Sequence, residues 1–187
     1  MKLKLQIVGL LVAVVGVAQS QEHVHGQGSV FIIQEDNQWK MQYVLPASDA
    51  LGFEHVPENQ QQQDALSQLQ NTVVNIENLM RFDAKCQQDA HSTNLDDFVE
   101  DSQSEDHQQH EHSSHKHGHK QDHHTEEEHH PNIELSYTIK CSDHIKRISF
   151  SIFDNMHSLQ KLDVEWSINS GQGSAVVTNN ASQLQLN

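Results

Sequence analysis

Several short segments of the chain alternate apolar and polar residues, a spacing typical of strands that bury one face. Residues 28–34 and 39–45 are the first two. Asp36-Asn37 lies between them and supplies turn residues, so the pair is expected to form a hairpin. Further strands are predicted at 133–141, 145–153, 162–168 and 175–178, with a turn at 171–173 before the last one.

A different spacing appears between residues 58 and 80, where apolar residues recur every three or four positions. This spacing predicts one long amphipathic helix, and Pro57 stands just before its start. Pro46 ends the second strand, and Ala47 or Ser48 opens a short helical turn through Leu51. The order of elements predicts an α+β fold, an antiparallel sheet or sandwich with one long helix.

The hydrophobic pattern stops at residues 96–131, which we call the His tract. Beyond Val99 the tract has almost no apolar residue. It cannot offset its ordering entropy by burial, so it is expected to be a disordered, flexible insertion. With the tract as a loop, residues 21–187 are predicted to form a single domain, because the remaining length is enough for one core.

The first twenty residues have the features of a signal peptide. Lys2 and Lys4 precede an apolar run at 5–17, and Ala18 and Ser20 suit a cleavage after Ser20, with cleavage after Ala18 a close alternative. The apolar run is short for a transmembrane helix. The mature protein is therefore expected to be exported to the periplasm and not to stay inserted in a membrane.

The charge balance limits the kinds of molecule that the protein is expected to bind. The whole chain has a net charge of −15 with His neutral, from 11 basic and 26 acidic residues. Residues 1–20 contain two of the lysines and no acid, so the mature chain has nine cations against 26 acids, a net charge of −17. This excess argues against nucleic acid and anionic membranes as partners, and it suits the attraction of cations.

The mature chain contains two cysteines, Cys86 and Cys141. In an exported protein such a pair is first interpreted as a disulfide, because the compartment is oxidising. The competing interpretation is a pair of thiolate ligands for zinc.

The His tract carries the strongest chemical signal in the chain. Neutral imidazole is the commonest protein ligand for zinc and related transition metals. Imidazoles two residues apart on a flexible backbone can meet on one ion, but no fixed spacing repeats, so several interchangeable weak sites are expected. The alternative is a merely solvating linker. The tract ligands predicted are His107, His110, His112, His115, His117, His119, His123, His124, His129 and His130.

Two smaller groups are candidates for a metal site on the folded body. His23 and His25 would share one face of an extended segment, and Glu54 and His55 could complete the site. The alternatives are a frayed polar terminus for the first pair and a turn pair for the second. The chain has no phosphate-binding glycine loop, nucleophile elbow or H-E-x-x-H pair, so it is not expected to be an enzyme.

These segments together resemble the ZrgA-like family of His-rich periplasmic zinc-binding proteins. The resemblance lies in His23-Val24-His25-Gly26, in Gly52-Phe53-Glu54-His55-Val56-Pro57 within 45–57, in Cys86 and the His tract, and in 137–141, 148–153 and 162–172. It implies zinc binding, a role in zinc acquisition beside a zinc-importing ABC transporter or its binding protein, and an α/β sandwich body with a flexible His-rich loop.

The function expected is capture of Zn2+ by the tract together with a tighter site on the body. One alternative is a periplasmic buffer or store for zinc, nickel or copper. Cu(II) binds such ligands more tightly than zinc in vitro, so affinity alone does not identify the physiological metal. Another is a module whose tract docks on a protein partner electrostatically.

Overall fold

The computed structural model of the protein describes residues 24–99 and 131–186. The predicted signal peptide, His23 and all ten tract histidines lie outside these ranges. Nine strands occur in the described residues: β1 (Gln27–Glu35), β2 (Gln38–Pro46), β3 (Met80–Phe82), β4 (Cys86–Thr93), β5 (Asn132–Cys141), β6 (Arg147–Phe150), β7 (Lys161–Ile168), β8 (Gly171–Thr178) and β9 (Gln183–Gln185). The α-helices are α1 (Ala47–Ala50), α2 (Gln60–Val73) and α3 (Ile152–Asn155).

The strands form two sheets. Six of them lie in the order β4-β5-β2-β1-β7-β8, and three shorter ones in the order β3-β6-β9. The predicted hairpin is confirmed, since β1 and β2 pair in antiparallel register around a turn in which Asp36 has a positive φ of 56°. The large sheet is mixed, because β1 pairs with β7 in parallel.

One hydrophobic core joins the two sheets and α2. β5 alternates buried and more exposed residues along its length, and its buried side chains include Ile133, Leu135 and Ile139. The apolar side of α2 adds Leu66, Leu69 and Val73 to the same cluster. The sheet therefore buries one face and leaves the other to solvent, as antiparallel sheets commonly do.

The prediction of an α+β fold with one long helix is wrong. Strands account for 48% of the described residues and helices for 22%, and only one helix has seven or more residues, so the fold is a mostly β, multi-stranded one. The helix predicted across 58–80 begins at Gln60, after the N-cap Asn59, and ends at Val73. The chain then enters a 3-10 turn at Ile76–Asn78 and continues as β3.

Side chains from elsewhere in the fold bind the backbone where α2 ends. The Tyr137 hydroxyl donates to the Val73 carbonyl at 2.6 Å. The Gln88 amide donates to the Val74 carbonyl and accepts from the Ile76 N–H, both at 2.8 Å. Ile76, Leu79 and Met80 are nevertheless buried. The spacing of these residues indicates which side of the chain faces the core. The same side stays buried after α2 has ended.

Three strands were missing from the predicted set. β4 is an edge strand with mostly exposed or half-exposed residues, so it has no apolar alternation to detect. β3 and β9 have three residues each, too few for a period. The turn predicted at 171–173 is the start of β8, and the chain reverses at Asn169-Ser170 instead.

The disulfide between Cys86 and Cys141 is present, and these cysteines are therefore not thiolate ligands in this structure. The two residues lie directly opposite each other on β4 and β5. Their sequence separation is 55, and the His tract lies within the closed loop. The bridge thus joins the chain before the tract to the chain after it.

Replacing both cysteines, Cys86→Ser with Cys141→Ser, is expected to lower the free energy of unfolding by about 2–4 kcal/mol, because a long loop is no longer closed in the unfolded chain. Urea denaturation monitored by tryptophan fluorescence measures this. A reductant should destabilise the wild type by the same amount and leave the double variant unchanged. Equal midpoints for wild type and variant would show that the bridge does not stabilise the fold.

Candidate metal centre

The start of β1 is held against α1 by two hydrogen bonds. His25 Nδ1 lies 2.9 Å from Ser48 Oγ. The Gly26 N–H donates to Asp49 Oδ2 at 2.6 Å, and this contact is buried. His25 itself is exposed, so its ring is held by α1 and still accessible to solvent. We call the group formed by His25, Gly26, Ser48, Asp49 and Glu54 the α1 corner.

Gly26 makes the turn into β1 with a φ of +79°, a conformation that favours glycine. Its carbonyl accepts hydrogen bonds from Gln160 N at 2.8 Å and Lys161 N at 3.0 Å. A Cβ at this position would lie 3.1 Å from the Gln160 side chain. Gly26 is therefore fixed between α1 on one side and the start of β7 on the other.

Asp49 is 7% exposed and is the only buried charged residue among those that the structure describes. Its pKa is raised, chiefly because burial disfavours the charged carboxylate and also because Glu54 is a nearby negative charge. The hydrogen bond from Gly26 and the charge of His25 lower the pKa in the opposite direction without reversing the shift. His25 and Glu54 are thus each close enough to Asp49 to affect its carboxylate electrostatically.

Glu54 and His55, the two other residues predicted as metal ligands on the folded body, follow α1 in the chain. Oε1 of Glu54 is buried. His55 is exposed, and its Nδ1 lies 2.8 Å from the Val56 carbonyl oxygen and 3.9 Å from Glu58 Oε1. The His55 ring also contacts Phe53, with ring centroids 5.5 Å apart. His55 is therefore engaged with its own loop.

Within residues 24–99 and 131–186, no three His, Cys, Asp or Glu side chains are grouped closely enough to hold a metal ion. The structure brings His25 and Glu54 to the same corner but does not add His55 as a third ligand there. His23, the remaining predicted body ligand, lies outside the described residues, as do the tract histidines. A complete ligand set at this corner would need one of those residues.

The residues that flank the tract lie beside α1. Pro131 is the last residue of the tract, and its carbonyl accepts from the N–H of Ala47, the first residue of α1, at 3.1 Å. Before the tract, the Asn94 side chain donates to the Asn132 carbonyl and accepts from the Glu134 N–H, both at 2.9 Å. The next residues after Asn94 form a 3-10 turn, Leu95–Phe98, in which Leu95 and Phe98 are buried. The base of the tract is therefore bound to the body.

Sequence reasoning missed Ser48 and Asp49 as parts of this site. One signal was available: Asp49 is the one charged residue in the mostly apolar segment 45–51. A charged residue among residues destined for the core is uncommon unless it has a partner. The partner is the backbone N–H of Gly26, which a side-chain pattern does not reveal.

A family model described as "ZrgA family zinc uptake protein" matches residues 22–186. The chain belongs to the ZrgA family. The match spans both described ranges and the tract, so it confirms the predicted resemblance and associates this member of the ZrgA family with zinc uptake. No curated protein matches the chain. Among the helices at 24–99 and 131–186, none has the length and apolarity needed to cross a membrane.

Asp49→Asn is expected to stabilise the apo protein near neutral pH, because it keeps an oxygen acceptor for Gly26 and removes a buried charge. The folded-state pKa of Asp49 is raised, so the native state binds a proton more tightly than the unfolded chain and loses stability as pH rises. The gain in unfolding free energy over wild type should therefore grow as pH rises above about 4.

Urea denaturation at several pH values measures this difference, with Asp154→Asn, an exposed acid on α3, as the matched control. The control should show no comparable trend. An Asp49→Asn protein less stable than wild type at neutral pH would mean that the carboxylate charge stabilises the fold.

Proposed function

We propose that the protein is a periplasmic, non-enzymatic zinc-binding protein that contributes to zinc acquisition. The His tract collects Zn2+ on interchangeable imidazoles, and a tighter site at the α1 corner holds one ion with His25 as a ligand. Membership of a family of zinc uptake proteins supports the zinc-handling part of this proposal. The observation that carries the mechanism is the contact between the base of the tract and α1.

That contact makes the tract and the α1 corner neighbours along one short helix. Ala47 binds Pro131 at the base of the tract, and the next two residues, Ser48 and Asp49, bind His25 and Gly26. Ligands that are tethered beside a site reach it at a high effective concentration. An ion on the tract is therefore presented to His25 more often than an ion free in solution.

Acidic side chains near the base of the tract favour the cation. Glu54 and Asp49 lie in the α1 corner, Asp96 and Asp97 lie in the turn where the tract begins, and Glu134 follows the tract. Clustered acids raise the local concentration of a divalent cation by long-range attraction. His23 adds a further ligand to His25 and Glu54 at the α1 corner, and zinc sites in proteins usually take four ligands.

Calorimetric zinc titration of the mature chain tests the two parts separately. Replacing the ten tract histidines by Gln, which keeps the length of the loop, should remove most of the bound zinc and leave one tight site. His25→Ala in that background should abolish the remaining site. His144→Ala, an exposed histidine beyond the other end of β5, is the matched control and should leave it intact.

Retention of the tight site after His25→Ala would remove the α1 corner from the mechanism. Loss of all binding in the tract variant alone would mean that the folded body is only a scaffold, and buffering by the tract would then explain the zinc binding better.

Zinc affinity is also expected to fall as pH is lowered through about 6.5, since protonated imidazole does not bind metal. Titrations at about pH 7.5 and about pH 5 measure this directly, with chloride and ionic strength held constant. Equal affinities at the two pH values would exclude imidazole as the main ligand.

A further inference from the structure

The ring of His25 is an exposed side chain just before the first strand, a place where side chains ordinarily exchange between rotamers. Here the segment is fixed at three points. The ring is bound at Nδ1 by Ser48, the following N–H is bound by Asp49, and the Gln27 N–H closes a turn onto the Val24 carbonyl at 3.1 Å. Both the backbone and the ring of His25 are thus restrained before any ion arrives.

The contact with Ser48 involves the nitrogen whose protonation determines which ring nitrogen can bind a metal. A neutral imidazole has one protonated nitrogen and one lone pair, and the hydrogen bond at one nitrogen selects the state of the other. Of the two tautomers, the one in which Nδ1 donates to the Ser48 hydroxyl oxygen leaves the lone pair on Nε2, at the far side of the ring. Metal-bound histidines commonly make such a contact with their second nitrogen.

Asp49 acts on the same residue through the backbone. Its carboxylate is buried at a cost in free energy, as buried charges generally are, and its hydrogen bond goes to Gly26, the residue after His25. Gly26 is also hydrogen-bonded to Gln160 and Lys161. The hydrogen bond from Gly26 to Asp49 therefore fixes the position of the backbone next to His25 relative to α1.

We propose that Ser48 and Asp49 are positioning residues that hold His25 with Nε2 directed to zinc. The inference rests on the proposed function in so far as His25 is a zinc ligand at the α1 corner. α1 then has two roles: its first residue binds the base of the tract, and its next two residues prepare the histidine that receives the ion.

The test is two-bond 1H–15N NMR of the histidine rings in the mature chain with the tract histidines replaced by Gln, at about pH 8, with and without one equivalent of zinc. His25→Ala assigns the His25 signals. The expected wild-type pattern is Nδ1–H in both states, with the Nε2 signal shifting on zinc addition. Ser48→Ala should lose the Nδ1–H preference, and Ser48→Thr should restore it.

Zinc affinity is measured on the same variants. Ser48→Ala and Asp49→Ala should each weaken binding by about 10- to 100-fold. Ser48→Thr and Asp49→Asn keep an oxygen acceptor and should stay within a few-fold of wild type. Ser136→Ala, a hydroxyl removed from β5, is the matched control for a merely structural effect.

Two failures can be told apart. If zinc leaves the His25 signals unmoved in the otherwise wild-type body, the proposed function fails at the α1 corner and the positioning role fails with it. If zinc shifts Nε2 of His25 but Ser48→Ala keeps both the Nδ1–H form and the affinity, His25 is a ligand and the positioning role alone is wrong.

Discussion

The structure depends on the pairing of strands from the two halves of the chain in one sheet. Strands that precede the His tract pair with strands that follow it, since β5 lies between β4 and β2, and β7 pairs with β1. The smaller sheet has the same property, because β3 pairs with β6. Neither half can complete its sheet without the other, so residues on both sides of the tract must meet at its base.

Because of this pairing, the fold does not depend on the amino-acid sequence of the tract. The entropy of closing a loop rises only slowly with its length. The base is secured by Asn94 with Asn132 and Glu134, and the far end of the same strand pair is secured by the disulfide between Cys86 and Cys141. A long polar insertion rich in histidine and acid can therefore be accommodated between β4 and β5 without disturbing the core.

The α1 corner follows from the same arrangement. β2 ends at Pro46, which lies opposite Asn132 at the start of β5, so α1 begins beside the base of the tract. β1 starts next to the end of β2 because the two strands form a hairpin. A short helix is thereby held between the tract and the first described histidine. Burial of the Asp49 carboxylate in this arrangement disfavours its charged form.

Strands with alternating burial could be predicted from the sequence because each buries one face, and β1, β2, β5 and β7 were found in that way. Two predictions failed because the pattern of burial did not follow the secondary structure. The helix predicted at 58–80 was too long, and β4 was missed. Ile76, Leu79 and Met80 keep a helical spacing after the helix has ended, because they face the same core. β4 is recognisable only from its partner, since an edge strand with exposed residues gains its order from β5.

The sequence by itself determined the histidine-rich chemistry, the excess of negative charge, the paired cysteines and the alternating strands, because composition and local period carry each of these. The tertiary structure alone decided that Pro131, Ser48, Asp49 and His25 lie around one short helix. Two of those contacts use a backbone group, the Pro131 carbonyl or the Gly26 N–H, and the third joins the side chains of His25 and Ser48. All of them join residues far apart in the chain, so no local side-chain pattern encodes them. They arise only when strands distant in sequence have paired.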